Sequence, residues 1–199
     1  MKKSLGPGTW LYPTPVFAVG TYDAAGKPNV MTVAWGGICC SKPPCVAISV
    51  RKATYTYGNL MERRAFTISL PSQDQVVPAD FFGTASGRDI DKFAAAGLTA
   101  ARAELVDAPY VAEFPFVLEC KIMHVAELGL HTLFAGEILD VKVDEACLDD
   151  KGRPTAELVR PIWWGPSENR YYGLGEDLGK GFSVGRVLEA GADGPASKR

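Results

Sequence analysis

Runs of apolar and β-branched residues follow one another along most of this chain, and turn signals rather than long helices separate them. Positions 15–22 (PVFAVGTY) are apolar and β-prone, and Asp23 to Lys27 (DAAGK) carries the Asp and Gly of a turn. A second strand is expected over 28–36, forming a hairpin with the first. Further strands are expected over 44–51, 65–70, 98–105, 116–127 and 131–144, with Gly129 dividing the last two into another hairpin. Short helices are expected at about 54–63, 74–82 and 89–96. A doubly wound sheet needs a helix between successive parallel strands, and these helices are too few and too short. The pattern therefore predicts a mainly β fold, an antiparallel barrel with a few short flanking helices. There is no internal repeat and no linker in the 199 residues, so one domain is expected over 1–188. The small, polar end (AGADGPASKR) is expected to form a disordered tail over 189–199.

Composition removes several functions. Hydrophobic residues make up 47% and charged residues 22%, and 21 basic against 23 acidic side chains leave a net charge of −2. Such a balance gives no electrostatic case for nucleic acid or a membrane surface as partner. No apolar run approaches the roughly 20 residues of a membrane span. The start, Met1-Lys2-Lys3-Ser4-Leu5-Gly6-Pro7, is basic but leads into no apolar signal core, so a cytoplasmic location is expected. The five cysteines form no C-x-x-C pair and only two histidines are present, so neither a disulfide framework nor a metal site is signalled. Cys39 and Cys40 are adjacent, where a bridge would be strained, and they read as reduced thiols.

The stretch CVAISVRKATYTYGNL (45–60) carries the chemistry. Alternation places Val46, Ile48 and Val50 on one face and Cys45, Ala47, Ser49 and Arg51 on the other. The second face is small, polar and ends in a cation, which suits a flat ligand; it also suits the solvent side of an edge strand. The following helix opens on Thr54, Tyr55, Thr56 and Tyr57. A helix N-terminus presents unpaired N–H groups and partial positive charge, hydroxyls add donors, and the Arg51 fork matches phosphate oxygens. Ser49, Arg51 and the helix start would together cradle a phosphate without a glycine-rich loop. Thr54 could equally cap its own helix. Other nucleotide motifs are missing: there is no G-x-x-x-x-G-K-[ST], and Gly173 to Gly179 only loosely matches a dinucleotide fingerprint. No G-x-S-x-G elbow occurs either.

Three stretches carry a resemblance. Residues 15–72, the run FFGTASGRDIDKFAAAGL (81–98) and HTLFAGEILDVKVDE (131–145) resemble the flavoredoxin branch of the flavin reductase-like proteins. These have an FMN-binding split β-barrel, and the resemblance covers the chain up to about residue 188. It implies that Ser49, Val50, Arg51, Thr54 and Tyr55 bind the FMN phosphate and ribityl chain, with Thr56 joining the hydroxyl set. It implies that Asn29, Met31, Thr32, Ala34 and Trp35 line the isoalloxazine ring. Lys92 would bring a cation to the flavin, His131 would sit beside the ring, and Trp164 would approach from the C-terminal segment; Lys92 and His131 are the residues assigned to catalysis. Each has a plainer alternative: Asn29 as a turn residue, Trp35 as core or interface, Lys92 as a solvated helix residue, His131 as an exposed hairpin residue, and Trp163-Trp164, in a loop bounded by Pro161, Gly165 and Pro166, as an interface plug.

The resemblance implies an FMN-binding oxidoreductase that takes electrons from NAD(P)H or from a redox partner protein and passes them on. It also implies a homodimer with FMN near the interface, covered by Trp35 or Trp163. Two alternatives remain open at this point: a pyridoxamine-phosphate-oxidase-like or haem-binding member on the same barrel, and a non-catalytic barrel that binds a phosphorylated ligand.

Overall fold

The computed structural model describes residues 1–190. In chain order its strands are β1 (Thr14–Pro15), β2 (Phe17–Tyr22), β3 (Pro28–Val33), β4 (Gly36–Ser41), β5 (Pro44–Arg51), β6 (Ala65–Leu70), β7 (Ala100–Arg102), β8 (Pro109–Val111), β9 (Phe116–Leu128), β10 (His131–Val143), β11 (Trp163–Gly165) and β12 (Arg170–Tyr172). The helices are α1 (Tyr55–Arg63), α2 (Val76–Thr84), α3 (Lys92–Ala96), α4 (Ala156–Val159) and α5 (Val187–Ala190). The fold is mainly β, with antiparallel strands and short helices, as the turn-punctuated sequence predicts. The tail expected over 189–199 falls outside the described residues from 191 onward.

Seven strands form one sheet in the order β3-β2-β6-β9-β10-β5-β4. Its two edges, β3 and β4, are consecutive in the chain and separated only by Ala34 and Trp35. A sheet whose edges are joined by two residues must curl until they approach, and this makes the barrel. The Ser49 amide reaches across the seam to the Trp35 carbonyl at 2.8 Å. The edges are not fully laddered together, so the barrel stays split there.

Inward-facing side chains fill the barrel. Val19, Ile48, Val50, Phe66, Ile68 and Phe134 are fully or nearly fully buried in one cluster, and Leu60 from α1 closes an end. Val46, Ile48 and Val50 occupy the core face that alternation assigns them, while Ser49 and Arg51 face outward. Cys45 departs from that pattern and is buried. A second cluster, around Phe82, Phe93 and Phe114, packs α2 and α3 against Ala18 and Val30 of the first hairpin. This packing holds the segment 81–98 beside β3.

Several expected elements differ in extent. The strand expected over 28–36 ends at Val33, and 36–41 is a separate strand. Gly36 must cross close to β5: a Cβ there would meet the Ala47 carbonyl oxygen at 2.7 Å and the Phe17 ring at 2.8 Å. The expected helix over 89–96 starts only at Lys92, because the Asp91 carboxylate caps it by accepting the Ala94 amide at 3.1 Å. The expected helix over 74–82 is a 3-10 turn at Gln73–Gln75 followed by α2. The expected strand over 98–105 shrinks to β7, paired with β8. Trp163 and Trp164, expected in a loop, lie on β11, which pairs with β1 and β12.

Candidate active site

The split seam opens into a cleft of about 420 Å³. One wall is β3 and its exit, with Met31, Thr32, Ala34 and Trp35; another is the end of β5, with Ser49, Val50 and Arg51. His131 is the register partner of Arg51 across the β5–β10 ladder, so the first residue of β10 lands at the cleft. The Trp35 and His131 rings are nearly parallel, with centroids 6.3 Å apart and 8° between planes. Trp164 closes the group, its ring 5.6 Å from that of Trp35. It is set by pairing with Thr14, whose hydroxyl donates to the Trp164 carbonyl at 2.5 Å. On the opposite side stand Asp80, Gly83 and Thr84, together with Tyr171, whose hydroxyl donates to Asp80 at 3.0 Å. Burial and that carboxylate push the Tyr171 phenol up to about 12. The cleft therefore has flat aromatic surfaces and an open side.

A second, polar cavity of about 280 Å³ adjoins it, and the two share Met31, Thr54 and Gly83. Asn29, Tyr55 and Thr56 line it from one side; Ser86, Gly87, Arg88 and Lys92 line it from the other. Asn29 is 4% exposed. Its side-chain amide donates to Thr56 Oγ1 at 3.0 Å, while its Oδ1 accepts no hydrogen bond within the protein. An orphaned buried acceptor costs on the order of 1–3 kcal/mol, so it calls for a ligand donor. The loop 86–88 closes tightly on this point: a Cβ at Gly87 would lie 2.0 Å from Asn29 Oδ1 and 3.0 Å from the Tyr55 ring. Arg88 lies over the Tyr55 ring, 5.5 Å from its centroid, and donates to the Ala53 carbonyl at 3.0 Å. The Tyr55 hydroxyl donates to Asp23 at 2.7 Å, which fixes the start of α1 to the first hairpin turn.

Lys92 is not a solvated helix residue. It is 4% exposed, and its ammonium donates to the Phe82 carbonyl at 2.7 Å. Burial lowers its pKa to about 8. Phe82 lies in the last turn of α2, where carbonyls lack helical partners and the dipole favours a cation. None of the ion pairs among the described residues involves Lys92. This is a desolvated cation with room for an anionic neighbour.

All fourteen residues singled out from the sequence line one or both cavities: Asn29, Met31, Thr32, Ala34, Trp35, Ser49, Val50, Arg51, Thr54, Tyr55, Thr56, Lys92, His131 and Trp164. Two have local duties as well. Thr54 caps α1, accepting the Tyr57 amide at 3.3 Å and donating to the Arg51 carbonyl at 2.9 Å, so its proton is already used. The Thr56 hydroxyl accepts from Asn29 and orients it. Trp163 packs within its own chain, stacked on Tyr172 at 4.4 Å with its indole N–H on the Gly173 carbonyl at 3.0 Å. Sequence reasoning missed Ser86, Gly87 and Arg88, although they precede Lys92 within the run 81–98, and also Asp80 and Tyr171. The grouping S-G-R before D-K-F was the available signal for the first three.

A cleft with aromatic faces beside a cationic, hydroxyl-rich annex, built on the seam of a split β-barrel, defines a flavin-binding oxidoreductase class. The flavin reductase like domain matches residues 9–159, and the chain belongs to that family. It is similar to the solved flavoredoxin of Desulfovibrio vulgaris (Miyazaki F), with 56% identity, a TM-score of 0.89, and coverage of 93% of this chain and 100% of that one. It is also similar to the solved flavoredoxin of Methanosarcina acetivorans, with 27% identity, a TM-score of 0.88, and coverage of 94% and 99%. The reductase component of a 4-nitrophenol 4-monooxygenase/4-nitrocatechol 2-monooxygenase from Rhodococcus opacus is 26% identical over 117 residues, 59% of this chain and 60% of that protein.

Proposed function

We propose that the flavin is FMN and that the protein takes electrons from NAD(P)H and passes them to a second acceptor. The observation that carries this reading is the pairing of the two cavities. An aromatic cleft continues into an annex holding a buried cation and an orphaned acceptor, which is what a flat ring with a polar, phosphorylated tail requires. The residues fit the cofactor by chemistry: Trp35, His131 and Trp164 offer the ring flat surfaces. Asn29 Oδ1 would accept a ligand hydroxyl or N–H. Arg51, Arg88 and the Tyr55 and Thr56 amides at the start of α1 would offer donors to phosphate.

Bound FMN supplies the redox chemistry, accepting hydride or single electrons. The chain's own residues do the rest. Lys92 holds positive charge in a low-dielectric site, where it acts on an anionic neighbour more strongly than an exposed lysine would. His131 and Trp35 fix one side of the cleft. The open side leaves a path for a flat donor to approach.

A second reading, in which a redox partner protein delivers the electrons, draws on the two flavoredoxins among the similar structures. Anaerobic addition of NADH and then NADPH to the FMN-loaded protein decides between them: rapid bleaching supports direct hydride donation, and an unchanged yellow colour with both supports the carrier. Assembly as a homodimer with the site near the interface follows from the same reading, since one small subunit leaves the cleft open. The cysteines among the described residues are all unpaired, which suits a reducing compartment such as the cytoplasm. No helix among the described residues is long and apolar enough to cross a membrane.

A further inference from the structure

We propose that Cys40 and Cys45 form a reversible dithiol–disulfide couple at the tip of the β4–β5 hairpin, exchanging with low-molecular-weight disulfides. The two are direct register partners, and only Ser41 to Pro44 separate them. Opposite residues of an antiparallel pair point to the same face, with Cα atoms about 4.5–5.5 Å apart. A disulfide spans Cα separations of about 4.4–6.8 Å, so the register places the two cysteines within bridging distance. The Cys40 side chain is near enough to that of Cys45 to help raise the Cys45 thiol pKa.

The environments divide the roles. Cys40 is exposed on an edge strand, open to an attacking or attacked molecule. Cys45 is buried, and it faces Glu137 on its other side in the β5–β10 register. Burial first, then the neighbouring thiols and that carboxylate, push the Cys45 thiol up, so it stays protonated longer. Cys40 is accordingly the attacking thiol and Cys45 the resolving one. The Cys40 thiolate attacks a disulfide RSSR, forming a mixed disulfide and expelling RS⁻. Cys45, giving up its proton, then attacks the Cys40 sulfur and expels the second RS⁻. Two protein thiols are oxidised, one small disulfide is reduced to two thiols, and the two protons end on the thiols released.

The other thiols serve less well. Cys39 sits at the ladder irregularity beside Cys40, and a bond between neighbours is strained. Cys120 lies fully buried in the barrel core, and burial pushes its thiol far up. A bridge closing so short a loop gains little from unfolded-state entropy, which keeps it reducible.

The test is equilibration of the full chain in a series of reduced and oxidised glutathione mixtures, acid quench, alkylation and intact-mass measurement. The expected result is a loss of two alkylatable thiols from each chain, on the peptide carrying Cys39, Cys40 and Cys45, fully reversed by reductant. Cys39→Ser keeps this loss, whereas Cys40→Ser and Cys45→Ser both abolish it. Cys45→Ala serves if Cys45→Ser does not fold, as judged by circular dichroism. Five alkylatable thiols in the most oxidising mixture, a bond between chains, a stable glutathione adduct, or a bond that survives Cys40→Ser would overturn the proposal.

Discussion

Replacing Lys92 by Met should make the flavin-free protein more stable and a poorer flavin binder. The side chain is 4% exposed, and burial takes its pKa from 10.5 to about 8. At about 1.4 kcal/mol per pKa unit, keeping this amine charged costs the folded state roughly 3 kcal/mol at pH 7. Met cannot donate to the Phe82 carbonyl, and leaving that buried acceptor without its partner offsets about 1–3 kcal/mol of the gain. Met keeps the apolar stem and removes the charge, so a net gain on the order of 1 kcal/mol is expected, or about 2–4 °C in Tm for a domain of this size. The pH dependence has a definite sign. The folded pKa lies below the unfolded one, so between about pH 8 and 10.5 the unfolded chain binds the extra proton and wild-type stability rises. Below pH 8 the penalty is constant, and the Lys92→Met protein lacks the rise. Binding an anion beside Lys92 relieves the penalty in wild type alone, so the variant should lose about 1.5–3 kcal/mol of FMN affinity, tenfold or more. Urea denaturation of the flavin-free proteins across pH and FMN titration of each provide the two readouts. A variant less stable than wild type that binds FMN equally well would refute the reasoning. If the ammonium lies by the ring rather than the phosphate, the variant's flavin potential also falls, and 30 mV corresponds to about 1.4 kcal/mol for two electrons.

Arg51→Ala should cost about 1.5–3 kcal/mol of FMN affinity, with a much smaller loss for riboflavin, which lacks the phosphate. Equal losses in parallel titrations would remove Arg51 from the phosphate. Gly87→Ala places a methyl 2.0 Å from Asn29 Oδ1 and must displace the 86–88 loop; FMN binding should fall more than tenfold while circular dichroism stays native, and unchanged affinity would show that the annex is not used. The yellow protein should sediment as a dimer at micromolar concentration; a monomer that retains its colour would end the interface proposal.

The sequence carried the barrel in a form that local physics can read. β5 and β6 lie over 44–51 and 65–70 as expected, and the hairpin across Gly129 pairs β9 with β10. Elements governed by distant contacts were harder to read. Gly36-Gly37-Ile38-Cys39-Cys40 has no alternation, and only its ladder with β5 makes it a strand. Trp163 and Trp164 look like loop residues until Thr14 and Pro15 pair with them from the other end of the chain. The site divides in the same way. Ser49, Arg51 and the opening of α1 were legible because alternation and a helix start converge within a few residues. Arg88 was not, because its place depends on the Tyr55 ring and the Ala53 carbonyl, 35 residues away. The burial of Lys92 was likewise hidden: Asp89 and Asp91 suggest a solvated turn, and only the packing of α2 and α3 shows a desolvated amine.

The central claim is that the joined cavities hold FMN, and titration of the flavin-free protein with FMN and with riboflavin tests it most directly. Trp35 and Trp164 line the cleft, so their fluorescence reports occupancy. The account predicts saturable quenching with one FMN per chain, retention of the visible flavin band after gel filtration, and weaker binding of riboflavin. A colourless protein that shows no saturable quenching and retains no added FMN would contradict it.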